Sequence, residues 1–209
     1  MSTIELDDLK NTARLTDLLA WALWNVPDED LLGAFHAFIS VIFNPDEESV
    51  RLISEASGVI SEEGLLEIAV DYTSLFASYQ LDSPHPYESV YRDEEGLLMG
   101  DTRDAVLECY RAAGYQVKSG EVNEPEDHIS HELWFISYLL NKAADAREQS
   151  NTALVSKTIE NATSFCNDHL SKWVPQFSDD INRQAKTGFY QGIALLLNRV
   201  PSMMSNKGV

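Results

Sequence analysis

Cysteine is scarce in this chain: two residues in 209, Cys109 and Cys166, far apart and in no C-x-x-C pair. Both fall on expected apolar helical faces, so they read as buried free thiols of a reducing compartment rather than a disulfide. Basic residues are also short, 15 Lys plus Arg against 34 Asp plus Glu, for a formal charge of −19. Such a field repels nucleic acid and anionic membrane surfaces and speeds encounter with basic partners; it serves solubility equally well. No apolar run approaches the roughly eighteen residues of a membrane-spanning helix. The opening, Met1-Ser-Thr-Ile-Glu-Leu-Asp-Asp8, has neither a basic start nor an apolar run, so no signal peptide is expected and the chain reads as cytoplasmic. Asn161-Ala-Thr163 matches a glycosylation acceptor, which carries nothing without secretion. There is no G-x-S-x-G elbow, no G-x-x-x-x-G-K-[ST] phosphate loop and no G-x-G-x-x-G fingerprint. A nucleophile, a base and an oxyanion site cannot be assembled with any specificity.

What is present is helical. Apolar residues make up 44% and aromatics 10% of the chain, too many for disorder, and the length suits one globular core over 1–209. A Ser2-x-x-Glu5 capping box precedes a stripe of Leu15, Leu18, Leu19, Ala22 and Val26 that Pro27 stops. A second helix follows Asp28 and buries Leu31, Phe35, Phe38, Ile39 and Ile42. A short one from Asp46 to about Ala56 ends at Gly58. Ser61 opens the next, with Leu65, Ala69, Tyr72, Phe76 and Tyr79 on one face. Asp101-Thr-Arg-Asp104 caps a helix bearing Val106, Cys109, Tyr110 and Ala113, and Gly114 supplies a left-handed C-cap. Ser150-Asn151-Thr152 opens a helix with Val155, Ile159, Ala162, Cys166 and His169 on one side, broken at Trp173-Val-Pro175. A short helix from Asp179 to about Ala185 leads to a last one beginning at Thr187-Gly188 and ending before Pro201, with 202–209 a frayed tail. No stretch alternates as a strand does. The expectation is an all-α bundle of about eight to ten helices.

The densest signal is the stretch from Glu121 to Leu140. Pro125 sits where a first helical residue belongs, and Glu126 and Asp127 place carboxylates in the first turn. Ile129, Leu133, Ile136 and Leu140 form one face, and Trp134, Phe135, Tyr138 and Leu139 make most of the others apolar. A helix apolar nearly all round, near 125–147, belongs in the middle of a domain. Between Gln80 and Gly100 the helical period fails. Pro84 and Pro86 favour extended neighbours, while Tyr87, Val90, Tyr91, Leu97, Leu98 and Met99 are too apolar for disorder. This reads as an ordered connector on the surface of the core.

Two chemistries fit these segments. Asp127, His128, His131 and Glu132 pair one turn apart and could serve a metal-dependent enzyme, although the spacing is neither H-E-x-x-H nor a di-iron pattern. A plainer reading has the acids stabilising the helix start and the imidazoles pairing with carboxylates one turn away. The loop Pro86-Tyr87-Glu88-Ser89-Val90-Tyr91 instead combines exposed aromatics with carboxylates. That suits a peptide with paired basic residues ahead of an apolar run, or a helical adaptor role for another protein, while each aromatic reads equally well as a plug of the core.

Glu124-Pro-Glu-Asp-His128, with Ile129 and Glu132-Leu133-x-Phe135, resembles the signature of the TorD/DmsD family of redox-enzyme maturation chaperones. Arg14-Leu-Thr-Asp-Leu-Leu19, Val26-Pro-Asp-Glu-Asp-Leu31, Asp71-Tyr-x-x-Leu-Phe76, Pro86-Tyr-Glu-Ser-Val-Tyr91 and His169-Leu-x-x-Trp173-x-x-x-Phe177 extend the resemblance along most of the chain. It implies an all-helical, cytoplasmic, non-enzymatic chaperone without a cofactor, monomeric or homodimeric. Its partner would be the twin-arginine signal peptide and body of a molybdenum-cofactor oxidoreductase, of the dimethyl sulfoxide or trimethylamine oxide reductase kind. Carried over by motif position, Asp127 and His128 are the peptide-site candidates, with Tyr87, Glu88 and Ser89 beside them and Glu124 and Pro125 shaping the site.

Overall fold

The structure is a computed structural model that describes residues 5–58, 60–78, 82–94, 96, 98–117 and 124–205. The Ser2 cap, Tyr79, Gln80, Leu97 and the Glu121–Asn123 lead-in lie outside the described residues. The elements are α1 (Leu6–Trp24), α2 (Glu29–Ile42), α3 (Glu48–Ser57), α4 (Glu62–Tyr72), α5 (Glu88–Arg92), α6 (Asp101–Ala113), α7 (Ile129–Glu148), α8 (Thr152–Phe165), α9 (Ser171–Gln184) and α10 (Gly188–Ser205). Two π turns, Thr73–Ala77 and Cys166–Leu170, follow α4 and α8. Among the described residues the only β pairing is one isolated antiparallel bridge between Tyr87 and His128. The all-α expectation holds.

The chain divides into two compact units, one of residues up to Ala20, Tyr87–Trp173 and from Val200 onward, the other of Trp21–Pro86 and Val174–Arg199. In the first, α7 is the buried element. Ile129, Leu133, Phe135, Ile136, Leu139 and Leu140 are all at most 1% exposed, each contributing about 1.5–3 kcal/mol by leaving water. α7 packs chiefly on α8. At its start the Ser130 hydroxyl donates to the Ala20 carbonyl of α1 at 2.9 Å. The Tyr110 ring lies 4.7 Å from Phe135, and Phe135 lies 4.9 Å from Phe165.

In the second unit α2 packs on α3, and α10 comes close to α3 at Gly192. A Cβ on Gly192 would meet Ile53 Cγ1 at 2.5 Å and the Ser49 carbonyl at 2.9 Å. Buried Asp71 of α4 organises the start of α10, accepting from the amides of Lys186 (3.0 Å) and Thr187 (2.8 Å) and from the Thr187 hydroxyl (2.7 Å). The hydroxyls of Tyr72 and Tyr190 donate to the carbonyls of Trp24 (2.7 Å) and Ala22 (3.1 Å) at the end of α1.

Several expected boundaries move. α7 begins at Ile129 with His128 as N-cap, so Pro125 is not its first residue and Asp127 is not in its first turn. The run from Thr152 does not break at Pro175: the π turn Cys166–Leu170 carries it straight into α9, with Pro175 inside. A π turn and a proline are both recognised causes of bending, and here they follow one another without ending the helix. α10 likewise continues through Pro201 to Ser205, so 202–205 are helical rather than frayed. Asp101 opens α6 from within, the N-cap being Gly100 without a side-chain bond. Val26 and Ile42 are 46% and 39% exposed. The fully buried residues are Ile68 and Asp71 of α4 and Leu75 of the π turn after it, while Leu65, Ala69, Tyr72 and Phe76 of the expected face are half-buried.

Candidate functional site

The stretch from Tyr87 to Arg92, expected as a surface connector, is a short helix entered through the Tyr87–His128 bridge. The Glu88 amide donates to the Asp127 carbonyl at 3.0 Å, and the Ser89 amide donates to Asp127 Oδ2 at 2.9 Å. Asp127 thus does for α5 what an N-cap side chain does: it satisfies an orphan first-turn amide, but from a distant part of the chain. Glu88, Ser89 and Asp127 are fully buried, and His128 and His131 are 5% exposed. Tyr87, Glu124 and Pro125 are half-buried. The Tyr87 hydroxyl donates to the Glu124 carboxylate, and its ring stands edge-on to His128 at 5.2 Å and 78°. Arg103 of α6 clamps Glu126 at 2.6 Å, and the Tyr110 hydroxyl donates to the Glu126 carbonyl at 3.1 Å.

All seven proposed site residues therefore belong to one constellation. The loop aromatics Tyr87 and Tyr91 are half-buried, between the exposed and core-plugging readings, while Glu88 and Ser89, expected on the surface, lie inside the core. The reason is pairing. Once the bridge aligns Tyr87 with His128, the next two residues turn inward over Asp127.

Burial sets the electrostatics. It raises the Asp127 carboxyl, and bonds from Ser89 pull part of that shift back. It holds His128 well below the usual imidazole range, with neighbouring His131 adding to the effect, and pulls His131 down to about 4 against the attraction of Glu126. Both imidazoles are neutral at pH 7. His128 turns Nδ1 to accept the Ser130 amide at 3.1 Å, so the expected imidazolium–carboxylate pairing one turn along is not what fixes this ring.

Glu132 points elsewhere, accepting from Trp173 Nε1 at 3.2 Å. Burial first, then Glu88 and Asp127, push its carboxyl well above the usual range, so it keeps its proton beside Glu88. Glu88 in turn receives Arg92 of its own helix and the His169 imidazole, Nδ1 to Oε2 2.9 Å. Asp127, His128, His131 and Glu132 thus diverge toward Ser89, Ser130, Trp134 and Trp173. Among the described residues no group of three or more His, Cys, Asp or Glu is arranged to hold a metal ion.

Arg92, Trp173 and His169 were not singled out as site residues from sequence. The i, i+4 spacing of Glu88 and Arg92 was the available signal for the first. The others come from tertiary contacts across 41 and 81 positions, which no local pattern reveals.

The sequence profile described as nitrate reductase delta subunit matches residues 43–179. The chain belongs to this family. It is 33% identical over 135 residues to a chaperone protein TorD of Vibrio cholerae and 33% over 140 residues to one of Photobacterium profundum, each match covering 65% of this chain. These matches span only 59% and 61% of the relatives' own length. A crystal structure described as a redox enzyme maturation protein from Archaeoglobus fulgidus superposes with a TM-score of 0.57, covering 91% of both chains at 24% identity. At that identity the likeness shows the fold, and the TorD/DmsD resemblance read from the motifs is borne out at the level of family.

Proposed function

We propose that this chain is a cytoplasmic maturation chaperone that binds the twin-arginine signal peptide and apo-body of a molybdenum-cofactor oxidoreductase and delays export until the cofactor is inserted. The observation that carries the reading is the Tyr87–His128 bridge, which joins the two family motifs into one partly open constellation. Within it Tyr87, Glu124 and Pro125 form the rim that a peptide meets. Asp127, His128, Glu88 and Ser89 lie behind and hold that rim in register. A half-buried aromatic beside a carboxylate suits an arginine, whose planar guanidinium stacks on rings and pairs bidentately with carboxylates. The family membership, the TorD relatives and the net charge of −19 support the same partner. Among the described residues no helix is long and apolar enough to cross a membrane.

Titration calorimetry with a synthetic twin-arginine signal peptide tests this. Binding is expected to weaken when the arginine pair becomes Lys-Lys, and when Glu124→Gln or Tyr87→Phe is introduced. Absence of binding to signal peptides from several reductases, by protein whose circular dichroism is native, would remove the proposal.

A further inference from the structure

A second arrangement in the first unit uses a thiol that the peptide-binding reading leaves idle. Cys109 sits on α6, half-buried, with its sulfur 3.7 Å from Nε2 of His169. The other ring nitrogen of His169 lies 2.9 and 3.2 Å from the two oxygens of Glu88. Thiol, imidazole and carboxylate therefore stand in line, the order in which a base activates a nucleophile while a third group orients the base. The ring is fixed on its face as well, since Phe165 stacks on it at 4.6 Å and 21°. The turn that carries it is tied down by Arg92, which donates to the Asp168 carbonyl at 3.0 Å. His169 reaches this position from the π turn Cys166–Leu170, and such single-turn insertions recur at functional sites. Cys166, in the same turn, is fully buried with no such geometry, and burial pushes its thiol up beyond the ordinary range.

Burial opposes the charge on His169, yet the bonds with Cys109 and Glu88 outweigh it and push the imidazole up to about 9. At neutral pH the ring is therefore an imidazolium. The charged groups around it are Glu88 and Arg92 of α5, with Glu132 of α7 lying against Glu88 and keeping its proton. A fixed cationic donor within hydrogen-bonding reach of a sulfur is the kind of surrounding in which reactive cysteines sit.

We propose that Cys109 is an activated thiol and a site of two-electron oxidation by hydrogen peroxide. With the thiol proton passed to Nε2 of His169, the sulfur attacks one peroxide oxygen, the O–O bond breaks and a sulfenic acid forms. The departing hydroxide takes the Nε2 proton of His169 and leaves as water. Sulfur loses two electrons and peroxide gains them. Cys109 is the reacting group, His169 the proton donor, and Glu88 the residue that positions His169.

The test uses the full chain at pH 7, with peroxide followed by dimedone trapping and peptide mass spectrometry, and iodoacetamide rates measured beside glutathione. Cys109 is expected to label about tenfold faster than glutathione, with Cys166 silent and Cys109→Ser unlabelled. His169→Asn is expected to remove that advantage. Labelling of Cys109 no faster than glutathione, or equally fast in folded His169→Asn protein, overturns the proposal. Should that variant unfold, the imidazole of wild-type His169 followed by nitrogen-15 resonance supplies the answer. Oxidation of Cys109 must move the ring's titration down from about 9. An unmoved titration overturns the proposal equally.

Discussion

His131 illustrates how single residues in this site set the pH behaviour of the protein. Its imidazole titrates at about 4 in the fold against 6.5 in an open chain, so between those values the unfolded chain binds the extra proton. Stability contributed by a neutral His131 is thus complete above pH 6.5 and falls as pH drops toward 4. The loss amounts to about 3 kcal/mol. Urea unfolding across this range should show a slope in wild-type protein that His131→Gln reduces. Glu132 works in the opposite direction. Its carboxyl is raised, so its contribution is present below the ordinary carboxyl range and declines as pH rises above it. Glu132→Gln keeps an acceptor for Trp173 and carries no titrating proton, so it should make unfolding less sensitive to pH above 5. A steeper dependence in that variant would contradict the assignment of the proton to Glu132.

At the level of elements, most helix ends written in capping chemistry were legible: Asp28, Ser61 and Asn151 each accept the amide three residues on, and Gly114 takes the left-handed C-cap at φ 73°. Ends that depend on tertiary partners were not. Pro125 looked like a first helical residue, but the chain spends 125–128 in a turn because Asp127 is drawn to the Ser89 amide. Pro175 and Pro201 looked like stops, yet the helices run through both. The same limit hid the inward turn of Glu88 and Ser89, which alternation alone could not distinguish from an exposed loop.

Two substitutions test the element-level account by thermal or urea unfolding. Asp71→Ala strips the start of α10 of a buried acceptor for two amides and a hydroxyl, and should cost about 2 kcal/mol. Gly192→Ala should destabilise despite alanine's better helix propensity, because α3 backbone stands where the methyl group would go. A stabilised Gly192→Ala variant would mean that α10 and α3 are not so closely packed.

Across the whole molecule the charge of −19 acts twice, with opposite signs. Self-repulsion opposes the compact state, so raising salt from about 10 mM toward 150 mM should raise the melting temperature. The same screening, effective beyond about 8 Å at physiological ionic strength, should weaken capture of an arginine-bearing peptide. Melting curves and binding isotherms in one salt series check both. Parallel strengthening of stability and binding would show that the peptide is held by apolar contacts alone.

The pairing of Tyr87–Arg92 with Asp127 is the centre of this account, and amide hydrogen exchange reads it directly. On addition of a twin-arginine signal peptide, exchange should slow at Glu88 and Ser89, whose amides bond to Asp127, and through residues 124–132, and it should slow less with the Lys-Lys peptide. Peptide that binds while exchange in both segments stays unchanged, with protection appearing elsewhere, would contradict it.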